Sequence, residues 1–191
     1  MRKKLGLLVI PCLAFLSIGP VTSAGAAADP PAQANDTCFG KHPTIIKWTY
    51  DAVLKTRVIQ GTSGNDVIIA TDAADYIYGN GGNDIICARG GNDNVVYGSQ
   101  AGVVQVDLGG GDDMIWDDYN GGLATLYLYG GPGNDRFWAS NGDAYLFGGP
   151  GNFDFYGGSG WTDCYNNGGV GTAASCKYFD NSGTALGEAQ Q

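Results

Sequence analysis

The sequence predicts an all-β chain, a parallel solenoid whose two sides are built from alternate repeats. Three observations lead there. First, Gly61 to Tyr165 reads in frame, without a gap, as eleven glycine-rich units: GTSGNDVII, ATDAADYIY, GNGGNDIIC and ARGGNDNVV; then YGSQAGVVQVD, LGGGDDMIWDD and YNGGLATLYLY; then GGPGNDRFW, ASNGDAYLF, GGPGNFDFY and GGSGWTDCY. Second, position eight is apolar in all eleven units (Ile68, Ile77, Ile86, Val95, Val104, Ile115, Leu126, Phe137, Leu146, Phe155, Cys164) in a chain that is 43% hydrophobic, which chance gives about once in ten thousand tries. Third, position four is Gly in nine units and position six is Asp in six units. The repeat encodes a turn, a carboxylate and one buried apolar residue.

In chain order, the first element is an export signal. Arg2, Lys3 and Lys4 precede an apolar run from Leu5 to Gly19, and small residues from Ala24 to Ala28 suit cleavage. That pattern reads as a secretory signal peptide over residues 1–28, too short in its apolar run for a stable membrane span. Residues 29–60 form an N-terminal segment, disordered over 29–37, with Ile45 to Tyr50 and Val58-Ile59 expected as a strand or short helix over the first coil. Residues 61–165 are the array. In each unit, glycines exclude helix at about 1 kcal/mol apiece and supply a tight turn. The residues after position six, such as Val67-Ile68-Ile69 or Arg136-Phe137-Trp138, make a short strand. Position eight then faces inward, and positions seven and nine face out.

One unit alone buries almost nothing, so units must stack, two per coil, odd on one side and even on the other. The eleven-residue units add two residues, which preserves strand parity and returns Val106 and Leu128 to the interior; Asp117 breaks that pattern. Residues 166–191 are read as a C-terminal cap, with Lys177-Tyr178-Phe179 over the last coil, and a disordered tail over 181–191.

The chain has formal net charge −9, and 18 of its 19 acids are Asp. Asp is favoured where a short carboxylate sits against its own turn backbone. No basic patch exists to neutralise phosphates, which argues against nucleic acid and anionic membrane surfaces. Beyond the leader, four cysteines remain, an even number that reads as two disulfides in an exported chain. Of three possible pairings, Cys38–Cys87 and Cys164–Cys176 are favoured because each ties one end of the array. Their spacing and the single His42 do not suit zinc.

The units GTSGNDVII, GNGGNDIIC and GGPGNDRFW resemble the glycine- and aspartate-rich nonapeptide of the repeats-in-toxin (hemolysin-type) calcium-binding family. The segment Cys38-Phe39-Gly40-Lys41 is similar to the start of small secreted bacterial calcium-binding proteins of this kind. The resemblance implies a right-handed parallel β-roll in which position-six Asp and turn carbonyls bind Ca²⁺ together with the next turn on the same side. The chemistry agrees: Ca²⁺ takes about six to eight oxygens in irregular geometry, and one turn supplies too few. The expected ligands are Asp66 and Asp84 on the odd side, and Asp75, Asp93, Asp113 and Asp135 on the even side. Turn glycines Gly61, Gly64, Gly79, Gly82, Gly91, Gly111, Gly131 and Gly133 complete the set, giving about four sites. The odd column then reads Gly102, Ala124, Ala144 and Thr162, without a carboxylate, and the even column fails at Phe153. Asp154 and Asp163, at position seven, point outward. Carboxylates stacked at about 5 Å repel by about 3 kcal/mol at an effective dielectric of 20, a penalty that cations remove.

The reading is therefore a secreted, extracellular, non-enzymatic calcium-binding protein, expected to be monomeric. An alternative is a carbohydrate-binding or adhesive module using Tyr127, Tyr129, Trp116 and Trp138 near Arg136 as an outward aromatic strip. A polysaccharide-acting enzyme is a weaker alternative, since no nucleophile stands with a base and tight units lack the long loops of a catalytic groove.

Overall fold

The computed structural model describes residues 33, 35–45, 48–98, 102–117 and 122–180; the expected leader at 1–28 and tail at 181–191 lie outside the described residues. All regular structure among the described residues is strand. Two strands precede the array, β1 (Thr49–Asp51) and β2 (Thr56–Gln60). Units one to four supply β3 (Val67–Ile69), β4 (Asp75–Tyr78), β5 (Ile85–Cys87) and β6 (Asn94–Tyr97). The longer units supply β7 (Val103–Asp107), β8 (Met114–Asp117) and β9 (Thr125–Tyr129). The last four units supply β10 (Gly133–Trp138), β11 (Ala144–Phe147), β12 (Gly151–Tyr156) and β13 (Thr162–Tyr165). Two more follow, β14 (Val170–Ala174) and β15 (Tyr178–Asp180).

These strands alternate between two sheets. One runs β1-β2-β4-β6-β8-β10-β12-β14 and the other β15-β13-β11-β9-β7-β5-β3, so even units build one face and odd units the other. Among these strands only β1 pairs antiparallel, on β2; alternate units pair in parallel. The protein is a parallel β-roll. All eleven position-eight side chains are fully buried and form one core cluster between the sheets. Each contributes about 1.5–3 kcal/mol relative to exposure, with the smaller Val and Cys toward the low end.

The long units resolve in two ways. Ile86 pairs with Val106, and Leu128 with Leu146, so in β7 and β9 the two added residues lengthen the start of the strand. Val106 and Leu128 are accordingly buried. In unit six Ile115 pairs with both Val95 and Phe137, so its extra residues follow the strand instead. Asp117 therefore ends β8 in register with the buried Tyr97.

Three expectations need correction. The segment before the array is not merely a lid: β2 is a coil strand in its own right, with Ile59 opposite Ile77 and buried. Residues 52–60 thus act as an additional unit without Gly or position-six Asp, and a pattern search on those residues misses it. The true cap at that end is β1 together with Thr44-Ile45, whose amides donate to Val67 O along the edge of β3. Nor are the described residues among 29–37 without structure, because Asp36 Oδ2 accepts from Arg89 Nη2 at 2.6 Å. At the far end β14 and β15 extend both sheets, with Phe179 opposite Cys164. The disulfides Cys38–Cys87 and Cys164–Cys176 tie the two ends, closing separations of 49 and 12 residues.

Candidate metal-binding turns

Because two units make a coil, the turns fall on two edges of the roll. On the even edge, successive turns bring Asp75, Asp93, Asp113 and Asp135 into line; on the odd edge they bring Asp66 next to Asp84. A backbone amide links each neighbouring pair. Asp75 N donates to Asp93 Oδ1 at 2.7 Å, Asp93 N to Asp113 Oδ1 at 2.7 Å, and Asp113 N to Asp135 Oδ1 at 3.1 Å. On the odd edge Asp66 N donates to Asp84 Oδ1 at 3.0 Å. All six carboxylates are buried.

The second oxygen of each carboxylate divides the turns into two kinds. In the first turn of each edge, threonine holds it. Asp66 Oδ2 accepts from Thr62 N at 2.6 Å and Thr62 Oγ1 at 2.9 Å; Asp75 Oδ2 accepts from Thr71 N at 2.9 Å and Thr71 Oγ1 at 2.7 Å. In the later turns Oδ2 of Asp84, Asp93, Asp113 and Asp135 is buried with no hydrogen-bond partner. A buried carboxylate oxygen in that state costs several kcal/mol unless a cation meets it.

The turn glycines make room beside these oxygens. A Cβ on Gly79 would lie 2.8 Å from Asp84 Oδ2, one on Gly61 3.1 Å from Asp66 Oδ2, and one on Gly130 2.5 Å from Asp135 Oδ2. Gly130, at position one like Gly61 and Gly79, was not among the expected ligands. The position-four glycines stack turn on turn. Gly111 (φ 140°) and Gly133 (φ 153°) bring their Cα against the carbonyls of Gly91 and Gly111, where any Cβ would collide. Gly82 and Gly91 sit in the same way against Gly64 and Ala73, and Gly131 against Gly109. Among the described residues no three carboxylate, imidazole or thiolate groups converge on one point. A cation held here must draw most of its oxygens from those stacked carbonyls. Oxygen-only, mostly main-chain donors with one or two carboxylates suit Ca²⁺, a hard ion tolerant of irregular geometry.

Electrostatics agree with the geometry. Burial, reinforced by the Asp113 and Asp75 charges, pushes the Asp93 carboxyl up to about 8. Burial likewise raises Asp135 to about 7, helped by Asp113 and Asp112, and raises Asp84 and Asp113 to about 6. Without a cation Asp93 and Asp135 hold protons near neutrality, and Asp84 and Asp113 at mildly acid pH; a bound cation would displace them.

Both ends of the even column are closed by other chemistry. Arg57 is in register with Asp75, and its Nη1 donates to Thr71 Oγ1 at 2.7 Å. Its guanidinium also lies over the Trp48 ring, 5.3 Å from the centroid. At the other end Phe153 takes the Asp position and stacks on Phe155 at 4.4 Å; a Cβ on Gly148 would meet its ring. The odd column needs correction. The register Ile85↔Gln105 sets Val104, not Gly102, beside Asp84, and Leu126, not Ala124, follows it before Ala144 and Thr162. No carboxylate stands there in either register.

Sequence reasoning overlooked a second ladder at position five. Asn65 Oδ1 accepts from Asn83 N at 2.8 Å, Asn83 Oδ1 from Val103 N at 2.7 Å, and Asn92 Oδ1 from Asp112 N at 3.0 Å. Asp112 Oδ1 in turn accepts from Asn134 N at 2.9 Å. These short amides fix the spacing of neighbouring turns, and the ND and DD pairs of the repeat are their visible signal. Asp154 accepts from Thr172 Oγ1 and lies 3.8 Å from Arg136, while Asp163 accepts from Trp161 Nε1; both remain outside the columns. The aromatic strip divides. Tyr127 and Tyr129 lie on the odd face, Trp116 and Trp138 on the even face, because their units differ in parity.

The family model of the RTX calcium-binding nonapeptide repeat matches in four copies, at residues 60–95 and 127–152. Those segments carry five of the six column carboxylates, all but Asp113. Searches of curated proteins and of solved structures each gave no match.

Proposed function

The chain carries RTX calcium-binding nonapeptide repeats in a parallel β-roll, and on that premise we propose that it is a secreted protein whose four inter-turn sites bind Ca²⁺ and couple binding to folding. The sites are Asp66/Asp84 on the odd edge and Asp75/Asp93, Asp93/Asp113 and Asp113/Asp135 on the even edge. The observation that carries the reading is the set of four unpartnered buried oxygens, on Asp84, Asp93, Asp113 and Asp135. Each expected site contains at least one of them. Ca²⁺ would neutralise stacked carboxylates and be held by the carbonyls of the glycine turns, so metal free energy becomes folding free energy. Export agrees with two disulfides, which persist in oxidising surroundings.

The test is calorimetric titration of the mature chain with Ca²⁺, read with far-ultraviolet circular dichroism. About four ions should bind, with affinities in the extracellular range of about 10⁻⁴ to 10⁻³ M, and β-structure should rise with occupancy. Identical spectra in chelator and in millimolar Ca²⁺ would sink the reading.

Sugar stacking on the odd face finds little support. Tyr127 stacks on Tyr145 at 4.9 Å, and Tyr129, Phe147 and Tyr165 stack at 4.7 and 4.9 Å, all within 10° of parallel. Between neighbours in these columns the ring faces cover one another and turn mainly edges outward.

A further inference from the structure

The odd column begins at Asp66, and both oxygens of that carboxylate are held. Oδ2 is taken by Thr62 inside the array, while Oδ1 accepts from Thr44 Oγ1 at 3.2 Å, from 22 residues upstream. Further along, two bonds join one turn to the next. The position-six amide donates to the next Asp Oδ1, as Asp66 N does to Asp84 Oδ1 at 3.0 Å. The amide after that Asp donates back to the position-six carbonyl, as Ile85 N does to Asp66 O at 2.8 Å. Upstream of Asp66 the main chain cannot repeat this. Ile45 pairs in parallel with Ile68, and counting back two residues sets Pro43 against Asp66. Proline has no amide hydrogen to give. The Thr44 hydroxyl takes both roles instead: it donates to Asp66 Oδ1 and accepts from Val67 N at 2.8 Å. Three anchors keep it there. The Thr44 amide donates to Val67 O at 2.9 Å, Asp36 meets Arg89 at 2.6 Å, and Cys38–Cys87 ties the segment to β5, the strand that follows Asp84.

We propose that Thr44 is a positioning residue for the odd-edge calcium site, with residues 36–45 as the fixed upstream turn of that site. This rests on the calcium reading and adds to it a residue from outside the repeats. Ca²⁺ gathers oxygens that one turn cannot supply, so its affinity depends on how firmly both carboxylates are held in place. Asp84 lies within the column, bonded to the Asp66 amide. Asp66 instead precedes β3, the last strand of its sheet, and depends on the segment outside the array for its upstream bonds. Without the Thr44 hydroxyl, Asp66 Oδ1 and Val67 N lose these bonds together, and the turn is free to rotate away from Asp84. The even edge is closed separately, through Arg57 and Thr71, so the effect is confined to one site.

The experiment titrates the full mature chain and its variants with Ca²⁺ by calorimetry, with circular dichroism of the same samples. Thr44 is exposed, so Thr44→Val removes the hydroxyl at little cost in packing. One ion should then bind about tenfold more weakly, with the even-edge ions unchanged. Thr44→Ser keeps the hydroxyl and should restore that ion. In an Asp84→Ala background, which already lacks the odd-edge site, Thr44→Val should have no further effect on Ca²⁺ binding. A parent chain that binds no Ca²⁺ defeats the calcium reading and this inference with it. A parent that binds Ca²⁺ while Thr44→Val binds it equally well or more tightly overturns this inference alone. So does a Thr44→Ser variant no better than Thr44→Val. A loss spread over all the ions, or one that persists in Asp84→Ala, also overturns it, since either marks a general loosening of the roll.

Discussion

At the residue scale, sharing decides what a substitution costs. Asp93 donates its amide to Asp113 Oδ1 and accepts the Asp75 amide, so it stands between two proposed sites. Asp93→Ala should lower bound Ca²⁺ by about two of about four ions and broaden the binding curve, because neighbouring coils are coupled. Asp163→Ala, which removes only an acceptor for Trp161 Nε1, should leave stoichiometry unchanged. Equal losses in calorimetry would mean that the columns are misassigned. Arg57 offers a different test. Its guanidinium lies at the head of the even column, where it does a cation's work without metal. Arg57→Met keeps much of the packing on Trp48 but removes the guanidinium that donates to Thr71 beside Asp75. It should destabilise the chelator-treated protein by about 1.5–3 kcal/mol in urea melts. An unchanged midpoint would show that the contact carries no energy.

At the scale of the element, the column of carboxylates sets the response to pH. Metal-free, Asp84, Asp93, Asp113 and Asp135 have folded values between about 6 and about 8, against an ordinary 3.8. Below the ordinary value both states are protonated. Between that value and the folded ones the native state keeps protons that the unfolded chain has lost, so stability falls as pH rises through this window. In chelator the melting temperature should therefore be highest at about pH 4 and below and fall toward pH 8. Saturating Ca²⁺ should flatten that slope near neutrality, since the ion replaces the protons. Thermal melts across pH with and without Ca²⁺ decide it; a metal-free protein that gains stability between pH 5 and 8 contradicts the buried column. Much of this element was legible in the sequence. Position eight, strand parity and the alternation of odd and even strands follow from period and side-chain direction alone. What escaped were features that parity does not specify. A two-residue insertion can lengthen the start of a strand, as in β7 and β9, or follow it, as after β8, and both choices keep the core in register. Residues 52–60 stack as a unit through Ile59 alone, without the glycine or aspartate that marks the others.

For the whole molecule, the roll changes its cohesion along its length. Carboxylates stack from Asp66 to Asp84 on the odd edge and from Asp75 to Asp135 on the even edge, and the glycine turns between them offer little side-chain packing. Beyond Asp135 the acidic position becomes Phe153 or Thr162, and aromatic rings take over: Phe137 on Phe155, Phe153 on Phe155, Trp138 on Tyr156, and the Tyr129–Phe147–Tyr165 stack. Such pairs contribute about 0.5–1.5 kcal/mol each beyond their burial, and need no ion. The termini are also pinned covalently. On a chain-entropy basis Cys38–Cys87 contributes about 4 kcal/mol and Cys164–Cys176 about 3 kcal/mol. On the proposed reading, calcium matters most where neither rings nor disulfide pin the roll, in the middle coils around β6 to β8. In a solenoid each coil contacts only its neighbours, so local differences in stability survive within the whole. Hydrogen exchange followed by mass spectrometry should show the consequence. Adding chelator should strip protection first from peptides covering Asn94–Asp117, while those covering Ala144–Tyr165 exchange at least about tenfold more slowly. Reducing the disulfides in chelator should then release the ends. Simultaneous loss along the array at one rate would show that coupling between coils exceeds the difference between carboxylate and aromatic stacking, and that calcium governs the roll as a single unit.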